Sequence, residues 1–444
     1  RWFMLWLYLR HRGDAVAPAG RFDPLPGVTV QLPIYNEYHV VDRLLEAVGD
    51  LPFREALPGS TAVLRAGLGM MGAIEEWQGV DPARLRYDAC VGEAAPRPAR
   101  FSPSRLEILG ACPQHYFFRH VLRVQELEEV REGYEFDVRE IGGLVHSVMH
   151  DVYRDLSGPD GGLPEAAPHD LLDRGLNLAR RQWDHHTRDL AARTRARHPL
   201  LWETTERLWM NALTGFLRRD LAGLQRQRAR LTGLEREESV LLSLGSAGRT
   251  IAVVGRFDRM VAGPDGVVVS DYKTSGDLKR HVSPAQMLKG LSLQMPLYLL
   301  LAESLAKEGK LEAAPVRAEV LGVGPEFSAD PAAGAPPDAP DPGEDDGARA
   351  SLGMETLARH REALAETLGV LLDLSAAGSF PLNEKSWLCE HCPYVRACRR
   401  WHVPTLRRLA SAPGGSEYAL LRRKNTRQPT IEMVRQRGGD GEET

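Results

Sequence analysis

Gly255-Arg256-Phe257-Asp258-Arg259 and Asp271-Tyr272-Lys273-Thr274 are the two stretches on which the fold turns. The first lies in an apolar run that predicts a strand over 247–261, and the second closes a β-branched run over 266–272. Gly263-Pro264-Asp265-Gly266 between them has the composition of a tight turn. On the resulting hairpin Asp258 and Asp271 come close together. Asp271 and Lys273, two apart, point to the same face. Paired carboxylates beside a lysine suit a hard cation such as Mg2+ or Mn2+, which prefers oxygen ligands. Such a cation neutralises charge on a phosphate and lowers the pKa of a bound water. The lysine can position or deprotonate that water, or stabilise the charge that builds up in the transition state. A D-x-K triplet alone is also what a surface ion pair looks like, so its weight depends on the rest of the chain.

Upstream, Gly142-Gly143-Leu144-Val145-His146 opens a helix predicted from about Asp137 to Leu156. Its apolar stripe is Ile141, Leu144, Val145, Val148, Met149 and Val152, and His146 falls on the flank of that stripe. His150 follows one turn later and reads as a solvated neighbour. Downstream, Gln294 and Tyr298 are four apart in a helix predicted over 284–307, and Pro296 between them marks a first turn or a break.

Taken in order, GGLVH, GRFD, DYK and QMPLY resemble the motif series of the RecB/AddB-type nucleases of the PD-(D/E)xK superfamily. The resemblance runs from about Phe101 to about Val403. It implies that His146, Asp258 and Asp271 bind a catalytic Mg2+ or Mn2+ and that Lys273 serves catalysis. It further implies that Gln294 and Tyr298 shape the site or touch DNA. The fold it implies is α/β, a restriction-endonuclease-like core with a mixed central sheet flanked by helices and large helical insertions.

Of five cysteines, Cys389, Cys392 and Cys398 crowd into one short segment, Cys112 stands alone before the nuclease motifs, and Cys90 fits no pattern. Four thiolates suit either Zn2+ or an iron–sulfur cluster, and clustered cysteines of this kind point to a reducing compartment, the cytoplasm. One distant cysteine followed by three near the C-terminus resembles the 4Fe–4S pattern of AddB-type nucleases. A cluster there would tie the two ends of the domain together and serve structure, not redox chemistry.

The chain has 444 residues, 43% hydrophobic and 26% charged, the profile of a globular protein of two or three domains. Its formal net charge of -4 gives no global pull toward nucleic acid, so any DNA path is a local basic surface. Trp2 to Leu9 is too short to span a bilayer. No G-x-x-x-x-G-K-[ST] loop occurs, so ATP hydrolysis by this chain is not expected. Residues 1–53 contain VTVQLPIYNE and resemble the first strand and helix of a family 2 glycosyltransferase. The later acidic and Q-x-x-R-W motifs of that family are missing, and this piece is expected to be inactive. Residues 54–100 read as a helical segment and linker, and 169–231 as long Arg-rich helices. The Pro-, Ala- and Asp-rich stretch 326–349 reads as a disordered insertion in the 101–403 nuclease domain. Helix returns at 353–375. Residues 404–444 form a basic tail; Arg399, Arg400, Arg407, Arg408, Arg422, Arg423, Lys424 and Arg427, with Trp401 and Tyr418 interleaved, suit either a DNA backbone or a solvated helix face.

The expectation is a metal-dependent DNA nuclease, an exonuclease in double-strand-break repair, acting as an AddB-like subunit beside an AddA-like helicase–nuclease. Competing readings are a stand-alone RecB-like exonuclease, a non-catalytic DNA-binding module, and a non-functional fusion fragment.

Overall fold

The computed structural model describes residues 100–125, 138–245, 249–327, 347–383 and 414–439, with 389–390, 392–395, 397–398 and 400. The readings made for 1–53 and 54–99, for most of the insertion, and for 404–413 and 440–444 of the basic tail lie outside the described residues. Described elements run as follows: β1 Arg100–Phe101, α1 Pro103–Ala111, α2 Pro113–Tyr116, α3 Val138–Leu156, α4 Pro168–His186, α5 Arg188–Arg197 and α6 Pro199–Arg226. Then come β2 Arg230–Leu244, β3 Arg249–Gly263, β4 Gly266–Lys273, α7 Leu278–His281, α8 Pro284–Leu288, α9 Gln294–Lys307 and β5 Pro315–Gly322. The last are β6 Arg349–Gly353, α10 Met354–Ala376, α11 Gly415–Leu421 and α12 Ile431–Gly439.

The strands form one mixed sheet in the order β1-β3-β4-β5-β6, with β2 also paired to β3. β3 runs antiparallel to β2 and β4 but parallel to β1, and β4 is parallel to β5. Both faces are covered, as the alternation of buried residues requires. Val253, Phe257, Val267 and Val269 pack with Leu297, Leu301 and Leu368 of α9 and α10. Val261, Tyr272 and Leu321 pack on the other side with Val145, Val148 and Leu217 of α3 and α6. Among the described residues no helix is long and apolar enough to cross a membrane.

The predicted α/β fold with a mixed sheet and flanking helices is observed, and so is the Asp258–Asp271 hairpin. Three local expectations are corrected. Arg230 and Leu231, read as the end of the helical run, instead open the strand β2, because the sheet offers it the whole length of β3 as a partner. The helix expected over 284–307 is two helices, broken where Gly290 takes φ 69°. The insertion read as 326–349 is shorter: Pro325–Phe327 form a helical turn and Arg349 opens β6 against β5.

Candidate active site

Hydrogen-bonded pairing between β3 and β4 starts at the turn, Gly263 opposite Gly266, and ends at Arg259 opposite Ser270. Beyond that point the strands part, and β4 continues on β5 through Lys273. A side chain takes over the lost ladder bond: Tyr272 N–H donates to Asp258 Oδ2 at 2.8 Å. The gap between the two strands is where every residue singled out from the nuclease motifs gathers.

On one face stands α3. His146 Nδ1 lies 3.3 Å from Asp258 Oδ2, and Nε2 lies 3.1 Å from the Tyr272 carbonyl. Burial works against the imidazolium, but the Asp258 carboxylate outweighs it and holds the His146 pKa above its ordinary value. The helix is anchored behind the site by a buried network. Arg259 makes a two-pronged pair with Asp220 of α6 at 2.6 and 3.0 Å, and Tyr153 of α3 donates its hydroxyl to the same carboxylate.

The other face holds Asp271, Lys273 and α9. Lys273 Nζ is 2.5 Å from Asp271 Oδ2 and 3.2 Å from Gln294 Oε1. Gln294 Nε2 donates to Asp271 Oδ1 at 2.6 Å and lies 3.1 Å from Tyr298 Oη. Tyr298 donates to the Arg256 carbonyl at 2.6 Å, tying α9 to β3. Pro296 sits in the first turn of α9, so Gln294 and Tyr298 do share a helix face. Burial pushes the Asp271 carboxyl up to about 6, against the pull of Lys273.

Two site residues escaped the sequence reading. Glu235 of β2 lies with His146 and Asp258, ligand atoms all within 4.8 Å of one another, a donor set that fits a divalent cation. Its φ of 48° is left-handed, and its carboxylate also accepts from Arg256 Nε. Nothing local distinguishes it from Glu237 and Glu238. Asp271 is outside this close trio, its two oxygens being occupied by Lys273 and Gln294. Glu107 of α1 accepts from the N–H groups of Leu293 and Gln294 at 2.7 and 2.9 Å, capping α9 at the residue that bridges Asp271 and Lys273. The approach of α1 depends on Gly110, where a Cβ would lie 1.9 Å from the Gly290 carbonyl oxygen.

A cavity of about 770 Å³ opens over His146, Glu235 and Lys273 and extends along α3 to His150, Asp151 and His186. His150, expected to be a solvated neighbour, is half-buried and bonded through Nδ1 to Asp151 Oδ1 at 3.0 Å. His186 Nε2 donates to Asp151 Oδ2 at 2.7 Å, and Arg154 lies 2.6 Å from Oδ1.

Cys112 occupies the junction of α1 and α2. Burial pushes its thiol above the ordinary value, and the proximity of Cys392 and Cys389 adds to the shift. Burial likewise pushes Cys398 up to about 12, with Cys112 first among its thiol neighbours. The four cysteines named from spacing are thus brought within electrostatic reach of one another. All four are partly buried. The basic tail divides. Arg422 and Lys424 are not DNA-facing: Arg422 bonds the Lys289 carbonyl and Tyr418 Oη, and Lys424, fully buried, bonds Ala363 O, Glu366 and Thr367. Arg423 and Arg427 are exposed.

Three ATP-dependent helicase/deoxyribonuclease B subunits are similar to parts of this chain. That of Moorella thermoacetica is 30% identical over 228 residues, 49% of this chain and 19% of the relative. That of Exiguobacterium sibiricum is 26% identical over 220 residues, 45% and 17%. That of Thermoanaerobacter sp. is 25% identical over 216 residues, 47% and 18%. The chain spans less than a fifth of the length of these curated relatives. The family model of the PD-(D/E)XK nuclease superfamily matches residues 100–399, the stretch that contains the whole constellation and four of the five cysteines; this chain belongs to that superfamily.

Proposed function

We propose that this chain is a divalent-cation-dependent deoxyribonuclease working in the cytoplasm on broken DNA ends, as an AddB-like subunit or fragment beside an AddA-like helicase–nuclease. The supporting observation is the gap between β3 and β4, with a cation-competent trio on one side and the Asp271–Lys273–Gln294 chain on the other. His146, Asp258 and Glu235 would hold Mg2+ or Mn2+, with Asp271 on the adjoining strand as a further carboxylate. When bound, the cation supplies charge neutralisation on the scissile phosphate and a more acidic water. Lys273 is the protein's own donor beside the reacting group. It stabilises the added negative charge as a water oxygen attacks phosphorus and the bridging P–O bond breaks. Gln294 holds Lys273 and Asp271 in register, and Tyr298 and Glu107 fix Gln294. The four cysteines would hold a 4Fe–4S cluster, Zn2+ being the alternative occupant.

The test is cleavage of end-labelled single- and double-stranded DNA by anaerobically purified protein with Mg2+. Chelator and Asp271→Ala serve as controls. Degradation that both controls abolish is the expected result. Intact DNA with folded, metal-supplied protein overturns the stand-alone activity and leaves addition of the helicase partner as the discriminating step.

A further inference from the structure

The cavity is larger than the cation site needs. His146, Glu235 and Lys273 occupy one end, and the other end, one to two turns further along α3, is built from His150, Asp151 and His186. Asp151 is saturated from within the protein. Oδ1 takes His150 Nδ1 and Arg154, and Oδ2 takes His186 Nε2. The carboxylate therefore acts as a clamp that fixes two imidazoles from two different helices. Each ring spends one nitrogen on the clamp. The other nitrogens, His150 Nε2 and His186 Nδ1, have no protein partner among the described residues. Arg154 is shared between Asp151 and Asp155, at 2.6 and 2.9 Å. The cavity wall on the other side of His146, one turn back along α3, is cleared. A Cβ at Gly143 would meet nothing within 4 Å, and one at Gly142 would touch only the Thr274 hydroxyl at 3.6 Å. Two glycines inside a helix cost roughly 1 kcal/mol each relative to alanine, and no neighbouring backbone demands either of them.

Resting on the nuclease reading, we propose that the Asp151-clamped pair His150 and His186 is a subsite for a non-scissile phosphate of the DNA strand lying in the active-site cavity. As imidazolium, each ring bonds Asp151 through one nitrogen and gives its second N–H to a phosphate oxygen. The bare Gly142–Gly143 surface, one turn before His146, leaves room for the sugar–phosphate chain to continue past the cation trio on the side away from this subsite. His150 and His186 thereby position the strand and take no part in the chemical step.

The experiment compares wild-type protein with a His150→Gln, His186→Gln double variant. Substrates are oligonucleotides in which single phosphates are replaced, position by position, by uncharged methylphosphonate. The expected result is a rise in KM of about tenfold, the worth of a charge-assisted hydrogen bond, with kcat and cation affinity within about twofold of wild type. One methylphosphonate position that weakens wild-type binding in Ca2+ has no further effect on the variant. His186→Gln alone, at the last residue of α4, carries the same test with less demand on folding. Unchanged KM, a methylphosphonate penalty equal in both proteins, or a loss of cation affinity overturns the subsite while cleavage by the wild type stands. Wild-type protein that neither binds nor cleaves DNA overturns the nuclease reading and the subsite together.

Discussion

Lys273 Nζ lies 2.5 Å from Asp271 Oδ2, two residues back along β4, and Gln294 bonds both. The two-residue period of a strand puts the pair on one face, and the separation of β3 from β4 exposes that face to the cavity. Removing the ammonium leaves a buried carboxylate without its cation and a reacting phosphate without its donor. Lys273→Met is expected to lower cleavage at least hundredfold and stability by about 2 kcal/mol. Single-turnover assays and thermal melts check the two effects. Added Mg2+ should restore part of the lost stability but none of the rate.

The raised pKa of Asp271 sets a pH window. With its carboxyl pushed up to about 6 by burial, the folded protein holds a proton there that the unfolded chain releases near its ordinary value of 3.8. Folding is thus favoured by the neutral form, and this contribution is lost as pH rises through about 6. Cation binding runs the opposite way, because protons compete for Asp271. Mg2+ affinity is expected to fall as pH drops, first as His146 takes up a proton and further as Asp271 does near 6. Calorimetric titration at several pH values measures it. An affinity that stays flat down to pH 5 would mean that Asp271 is not among the ligands.

Glu235 is held at φ 48° in the middle of a strand, a conformation that costs a non-glycine residue about 1 kcal/mol. That strain accompanies a carboxylate aimed at His146 and Asp258. Glu235→Gly is expected to raise stability by about 1 kcal/mol while cutting cation affinity about tenfold, and Glu235→Gln to cut affinity alone. A Glu235→Gln protein with unaltered Mg2+ binding removes Glu235 from the cation site.

Much of the site was legible because its chemistry sits in short local patterns. Strand alternation paired Asp271 with Lys273, helix spacing paired Gln294 with Tyr298, and both pairings hold. What escaped depends on contacts distant in sequence. Glu235 joins His146 and Asp258 only through the pairing of β2 with β3, and Glu107 reaches Gln294 only because Gly110 lets α1 approach Gly290. His150 looked solvated because His186, its partner across Asp151, lies on another helix. Arg422 and Lys424 carry the composition of a DNA-binding tail, but their charges are spent on backbone carbonyls and Glu366.

The cysteines make a separable prediction. Asn383 and Tyr418 both bond the Ala111 carbonyl beside Cys112, so the segment carrying Cys112 is pinned to elements on either side of Cys389–Cys398. A cluster closing so long a loop is worth a few kcal/mol, by analogy with disulfides. Anaerobically purified protein is expected to contain iron and absorb near the visible region's blue end. Cys112→Ser should lose both iron and several degrees of melting temperature. Stoichiometric zinc without iron would replace the cluster reading with a structural zinc site.

Gly143 offers the sharpest separation of stability from function. It lies exposed inside α3 with negative φ, and a Cβ there meets open space. Gly143→Ala should therefore stabilise the helix by up to about 1 kcal/mol, since alanine loses less backbone entropy than glycine. The same space is where a DNA strand would continue past the cation trio, on the side of His146 away from the Asp151 clamp. Gly143→Phe should leave melting temperature and Mg2+ affinity close to wild type, yet weaken oligonucleotide binding tenfold or more. Fluorescence anisotropy in Ca2+ reads the binding and thermal melting reads the fold. If the phenylalanine variant binds and cleaves DNA normally, the strand does not pass over this face of α3, and the glycine pair needs another explanation.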